Sequence, residues 1–192
     1  MKSARILIIQ LLLGFSFAHG ADSWISVSPH VVVSRYSSSI GFNTGIGVGV
    51  IASFSFSRDN DLRLLGDFTN TTQPFDLILS SGSLDVSVKT LSAEYKRLLL
   101  SPFEWLNIAT VVGGGWQRIS VDEYMVSLGA LGNRIVPSHS EDFGFLAGGV
   151  SLAFPIAQSV DVFLEPKARL FSYQSTVRSN LMILGGLSVS IL

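Results

Sequence analysis

Charged side chains make up only 14% of this 192-residue chain, so the places where they gather are informative. Arg63 and Asp67 share one parity of position, and so do Asp161, Glu165, Lys167 and Arg169. Glu94 and Lys96 form a further set, with Lys89 nearby. Residues two apart in an extended chain point to the same side, so each set projects from one face of a strand. The signs are nearly balanced. Two chemistries fit such an arrangement. One is a buried network of ion pairs, in which opposite charges offset each other's desolvation. The other is a path for protons or ions. The network is the expectation, with the path as its alternative.

Other candidates are weaker. Ser138, His139, Ser140 and Glu141 bring together a base and potential nucleophiles, but such a pair acts only when held within hydrogen-bond reach. The stretch is expected to be a polar loop. His19 and His30 stand apart, and no two histidines have metal-ligand spacing. The chain has no cysteine, which excludes disulfides, thiolate zinc sites and a lipidated cysteine. Gly113–Gly114–Gly115 lacks the Lys-Ser/Thr and the helix of a phosphate loop. It is expected to let a wall bend or pack closely. Asn70-Thr71-Thr72 fits a glycosylation sequon. No catalytic, cofactor-binding or metal-binding residue is assigned. Net charge is −1 with the signs mixed, so nucleic acid is not an expected partner.

The elements that must position these residues are strands. In the segment 43–57, Ile46, Val48, Val50, Ala52, Phe54 and Phe56 fall on one phase, and Gly45, Gly47, Gly49, Ser53 and Ser55 on the other, with Ile51 the exception. A period of two means a strand. Neither face is charged, which suits a wall between lipid and a packed interior. Val48 should face lipid, and Gly47 the interior, where a small hydroxyl should be accepted. The same alternation places Leu106, Ile108, Thr110, Val112, Gly114 and Trp116 outward against Asn107, Ala109, Gly113, Gly115 and Gln117. It recurs over 146–154, with Leu146, Val150 and Leu152 outward, and over 181–191, with Leu181, Ile183 and Leu187 outward. Over 160–170, Val160, Val162, Leu164, Ala168 and Leu170 face out, opposite the charged set. Fainter strands cover 24–36, 62–68 and 84–97, the last with a phase switch near Thr90–Leu91 that suggests a β-bulge.

These are eight strands, an even number, most of them long enough for the ~9–11 residues a tilted strand needs to cross a bilayer. The predicted fold is all-β, an eight-stranded antiparallel up-and-down transmembrane barrel, closed because lipid cannot satisfy an open edge. Links at 58–61, 101–105 and 155–159 read as short turns, those at 69–83 and 120–142 as long loops, and those at 37–41 and 174–179 as intermediate. Trp24, Phe54, Phe56, Tyr95, Phe103, Trp105 and Phe154 gather toward the short-turn side. Tyr36, Phe68, Trp116, Phe143 and Tyr173 gather toward the other, as two interfacial belts. Lys2 and Arg5, the apolar run from Ile6 to Phe17, and small residues at Ala18, Gly20 and Ala21 read as a secretory signal peptide. An anchor helix would need ~20 apolar residues. The expected organisation is therefore a signal peptide over 1–20 and one barrel domain over 21–192.

In these strand phases and links, the chain resembles the small outer-membrane barrels of the OmpA and OmpX type, with the OmpW type as a cousin, from position 24 to 192. The resemblance implies a bacterial outer-membrane location with both termini periplasmic. The implied partners are outer-membrane lipid, lipopolysaccharide or its equivalent, the outer-membrane assembly machinery, and a surface ligand at the long loops. That family usually closes its last strand with an outward aromatic, where this chain has Ile191. The expected role is non-enzymatic, structural or one of surface interaction through the long loops. A narrow transporter of small or hydrophobic molecules, a lipid-modifying barrel enzyme and a soluble lipocalin-like binder are the alternatives.

Overall fold

A computed structural model describes residues 25–37, 40–77, 80–127, 133–173 and 176–191. The signal peptide expected over 1–20, with His19, lies outside them. The strands are β1 (Ile25–Tyr36), β2 (Gly45–Ser57), β3 (Asn60–Leu77), β4 (Ser80–Phe103), β5 (Leu106–Val121), β6 (Tyr124–Ser127), β7 (Asn133–Val136), β8 (His139–Ala157), β9 (Val160–Tyr173) and β10 (Thr176–Ser190). Eight of them close into a barrel in the order β1-β10-β9-β8-β5-β4-β3-β2, while β6 and β7 form a separate two-stranded sheet. All neighbours are antiparallel. The predicted eight-stranded up-and-down barrel is the observed one.

Closure has a definite stagger. One row of paired residues runs from Asp142 through Arg118, Lys89, Phe68, Val48, Val31, Gly185 and Leu164, and returns to β8 at Leu152, ten residues from its start. A row that climbs this way requires strands tilted against the axis, typically by ~35–45°. Residues that face each other across the lumen are therefore far apart in sequence.

The tight turns at 58–59, 104–105 and 158–159 lie at one end, inside the links expected there. The chain's described ends meet at the same end, where the Ile191 amide donates to the Ile25 carbonyl at 2.9 Å. The other end differs from expectation. The stretch 69–83 is mostly ladder, because β3 and β4 stay paired up to Leu77 opposite Ser80. Thr69, Thr71 and Thr72 carry polar atoms yet suit a strand, since Thr is β-branched. Within 120–142, β5 and β8 extend to Val121 opposite His139, and the remainder holds the β6–β7 hairpin. The β9–β10 link is confined to 174–175.

The bulge expected near Thr90–Leu91 is absent. Pairing of β4 with both neighbours is continuous there, and register shifts occur at Leu98/Leu100 and Leu100/Phe103, next to the turn. Even-numbered residues of β4 point inward from Leu84 to Lys96: Val86 and Val88 are as buried as Ser92 and Glu94. The sequence imitated a phase switch because the lumen itself changes from apolar to polar along its length. Lys89 accordingly faces outward, not into the charged interior.

Candidate functional site

The outer wall is apolar where strand phase placed it. Val48, Val50, Val112, Leu146, Leu164, Leu170, Leu181 and Ile183 all expose their side chains, Val48 at 60%. At the short-turn end, Phe103 stacks on Trp105 at 5.1 Å, Trp105 on Phe154 at 6.3 Å, and Phe56 on Tyr95 at 6.3 Å, forming the expected belt. The belt at the hairpin end is thinner than expected. Phe68 and Trp116 face out, but Tyr36 is buried in the lumen and Phe143 packs inward on Phe171. Trp24 and the side chain of Tyr173 lie outside the described residues. Tyr36 and Phe143 escaped the reading because aromatic rings suit a packed interior as well as a membrane interface.

The lumen is built in tiers. From the short-turn end opens a polar vestibule of about 220 Å³, lined by Ser28, Ser53, Asp61, Lys96, Asp161 and others, with Arg63 and Glu165 among its walls. Next comes a quartet of charges. Arg63 of β3 donates through both terminal nitrogens to Glu165 of β9, at 2.8 and 3.1 Å. Lys167 of β9 donates to both oxygens of Glu94 of β4, at 2.8 and 2.7 Å, and lies 2.5 Å from Glu165. All four side chains are at most 3% exposed. Above it, Arg169 crosses to Asp67 at 2.8 Å and to Thr90 at 3.1 Å, with its guanidinium 4.7 Å from the Phe145 ring. The six buried ions balance, three of each sign. The sequence set them on the inward phase of their strands, and the barrel brings them together. Lys96 and Asp61 form a looser pair, 3.9 Å apart, nearer the vestibule.

Beside the ions, Val32, Ile51, Leu65, Ala153, Phe163, Met182 and Leu184 form an apolar cluster. Glycine lets the wall and the quartet fit together. A Cβ at Gly149 would meet the Pro166 carbonyl at 2.3 Å and Lys167 Cγ at 2.8 Å, and one at Gly113 would meet the Ala93 carbonyl at 2.4 Å and Glu94 Cγ at 2.8 Å. The expected close packing at Gly113–Gly114–Gly115 is present. Gly47 also faces the lumen, but a Cβ there would meet the Phe68 carbonyl at 2.1 Å. The expectation that it would accept a hydroxyl is therefore corrected: backbone, not solvent or a polar partner, occupies that space.

The hairpin end is stopped by an apolar plug. Ile40 and Phe42, in the β1–β2 link, fold back into the mouth and pack on Tyr36, Val86, Val88, Ile119, Phe145 and Phe171. Gly41 lies between them at φ 78°, a left-handed conformation that side chains disfavour. Asn43 pins the link to β3: its amide donates to the Thr72 carbonyl at 2.8 Å, its Nδ2 to Thr72 Oγ1 at 2.7 Å, and its carbonyl accepts from Thr71 Oγ1 at 2.7 Å. Sequence reasoning passed over Ile40 and Phe42. Their signal was a pair of apolar residues around a glycine in a polar link.

The remaining candidates do not form a site. Ser140 and Glu141 lie with His139 on the end of β8, not in a loop, and His139 Nε2 lies 3.0 Å from Glu141 on the exposed surface. Their strand character follows from pairing with Ser120 and Ile119. His30 points into the lumen beside Phe163, 6.5 Å between ring centroids, with its Nδ1 3.4 Å from the Ser28 carbonyl. Thr71 of the sequon is committed to Asn43. Among the described residues, no group of three or more His, Cys, Asp or Glu could hold a metal ion.

The wall and its contents define a transmembrane β-barrel whose lumen is filled by ion pairs and closed by side chains. In structure the chain is similar to neisserial surface protein A, with a TM-score of 0.58 and 17% identity over 90% of this chain and 99% of that one. It is similar to the outer membrane protein OprG of Pseudomonas aeruginosa, with a TM-score of 0.57 and 6% identity over 86% and 94%. It also matches a major outer membrane protein of Thermus thermophilus, with a TM-score of 0.53 and 13% identity over 86% and 98%. No family model and no curated protein matches the chain by sequence. The likeness is one of fold.

Proposed function

We propose that this chain is a bacterial outer-membrane barrel without catalytic activity, whose role is structural or one of surface interaction through the hairpins at one end. The observation that carries this reading is the filled lumen beneath those hairpins. An eight-stranded barrel is just wide enough for side chains to fill or for one small ligand, and here, above the vestibule, balanced ion pairs and the Ile40–Phe42 plug occupy it in succession. What remains to meet a partner is the β3–β4 ladder and the β6–β7 hairpin. In this reading the tight turns and both termini are periplasmic, as short turns are in such barrels, and the hairpins reach the cell surface, where a surface ligand would dock. The assembly machinery of the outer membrane would insert the chain after removal of residues 1–20.

The second reading, a narrow transporter, rests on the vestibule, which reaches Arg63 and Glu165. Planar-bilayer recording of refolded protein separates the two. The structural reading expects no steady unitary conductance. Reproducible open-channel steps would overturn it in favour of transport.

A further inference from the structure

Two cations sit side by side on the outer wall where the apolar belt ends. Lys89 of β4 and Arg118 of β5 are register partners, and both face outward. They belong to the row that climbs from Val48 through Phe68 to Asp142, so they lie above lipid-facing residues and below the projecting hairpins. Trp116 stands one step below Arg118, whose guanidinium lies 5.2 Å from the indole centroid. Phe68 is the register partner of Lys89 on its other side. Such rings mark the boundary between hydrocarbon and headgroups.

The arrangement of the cations asks for an anion. Like charges directly opposite on neighbouring strands repel. Arg118 is held in place by Asp142, to which Nε and Nη2 both donate at 2.7 Å. That fork leaves Nη1 without a protein partner among the described residues. Lys89 makes no ion pair among them. The next row upward is neutral and hydrogen-bonding: Asn70, Ser87, Ser120 and Ser140 are successive register partners across β3, β4, β5 and β8, all on the outward phase.

We propose that Lys89 and Arg118 bind the phosphate of a phosphorylated glycolipid in the surrounding leaflet, with its sugar against the Asn70–Ser140 row. The phosphate oxygens accept from Lys89 Nζ and Arg118 Nη1, charge-assisted bonds of the stronger kind. Asp142 positions the guanidinium and limits the patch to a single phosphate, since it cancels one of the two charges. The row of hydroxyls and an amide favours a sugar headgroup over the compact one of a glycerophospholipid. The site rests on the outer-membrane reading above, which places this end of the barrel in the glycolipid leaflet.

The test uses the refolded full barrel in nanodiscs of phosphatidylcholine doped separately with bisphosphorylated lipid A, dephosphorylated lipid A or phosphatidylglycerol. Bound lipid is counted by native mass spectrometry, and insertion is checked by heat-modifiable gel mobility. Lipid A should be retained, and the Lys89→Gln/Arg118→Gln variant should weaken it about tenfold, the scale of two near-surface cations partly offset by one acid. Lys89→Arg should preserve retention, and Arg97→Gln, at the opposite rim, should leave it unchanged. An inserted barrel that holds phosphatidylglycerol or dephosphorylated lipid A as well as lipid A overturns the proposal but leaves the membrane reading intact. So does an inserted double variant with undiminished retention. A barrel that does not insert at all overturns both.

Discussion

Glu165 shows why single residues matter inside so narrow a lumen. It accepts two hydrogen bonds from Arg63 and lies against Lys167, so its removal leaves two cations to share Glu94, which is 3.9 Å from Arg63. Breaking a buried pair by deleting one member typically costs ~3–5 kcal/mol. Glu165→Ala should therefore unfold at a clearly lower urea concentration in vesicles, while Asp59→Ala, at the exposed 58–59 turn, should barely shift the midpoint. Equal midpoints would mean that the quartet does not stabilise the barrel. Gained conductance with unchanged stability would instead move the transport reading forward. Glycine is the other residue-scale constraint. Gly47→Ala must displace the Phe68 carbonyl, whereas the nearest atom to a Cβ on outward-facing Gly66 is the Thr90 carbonyl at 3.9 Å. Refolding yield should fall for Gly47→Ala and stay near that of the parent for Gly66→Ala. A tolerant Gly47 would show that β2 relaxes away from β3.

Among the elements, β2 and the β6–β7 hairpin mark two extremes of coupling. Val48 stands on the lipid face of β2 between Val31 and Phe68. Arg in place of Val48, which lies between the midplane and the Phe68 ring, should cost somewhat less than the ~2–4 kcal/mol of a mid-membrane Arg, read as reduced insertion in vesicles. Full insertion would reverse the assignment of faces. The β6–β7 hairpin is a sheet of its own, and β5 and β8 already meet at Val121 and His139. Replacing 122–138 with Asn-Gly, a turn suited to two paired strands, should leave the melting temperature of the barrel within a few degrees. A collapse in stability would show that the hairpin braces the wall. The β1–β2 link is intermediate: it is no strand, yet Ile40 and Phe42 are as buried as barrel residues.

For the molecule as a whole, closure joins wall and contents. Every strand of the barrel has two paired neighbours, which satisfies the backbone in hydrocarbon, and the apolar outer phase makes detergent or lipid necessary. The mature chain should fractionate with the outer membrane and migrate faster on gels when unheated. Recovery as a soluble monomer in a periplasmic extract would overturn the membrane reading and restore the lipocalin-like alternative.

The eight barrel strands, their lipid face and their phase, except in β4 above Thr90, were legible in the sequence alone, whereas the strand extensions over 69–83 and the β6–β7 hairpin were not. A wall between two media imposes a local, position-by-position rule: Ile46, Val48, Phe54 and Trp116 face lipid, and each alternates with small or polar neighbours. The inward phase of Arg63, Asp67, Glu165, Lys167 and Arg169 was legible for the same reason. Their partners were not. Arg63 meets Glu165 across 102 positions and Lys167 meets Glu94 across 73, and only the stagger of ten residues at closure decides which inward residues share a tier. The same holds for the missing bulge on β4, for Tyr36 and Phe143 turned inward, and for the glycines packed against neighbouring backbone. Alternation reports the medium each side of a strand meets, whereas what fills the lumen depends on strands far apart in the chain, and that is decided when the barrel closes.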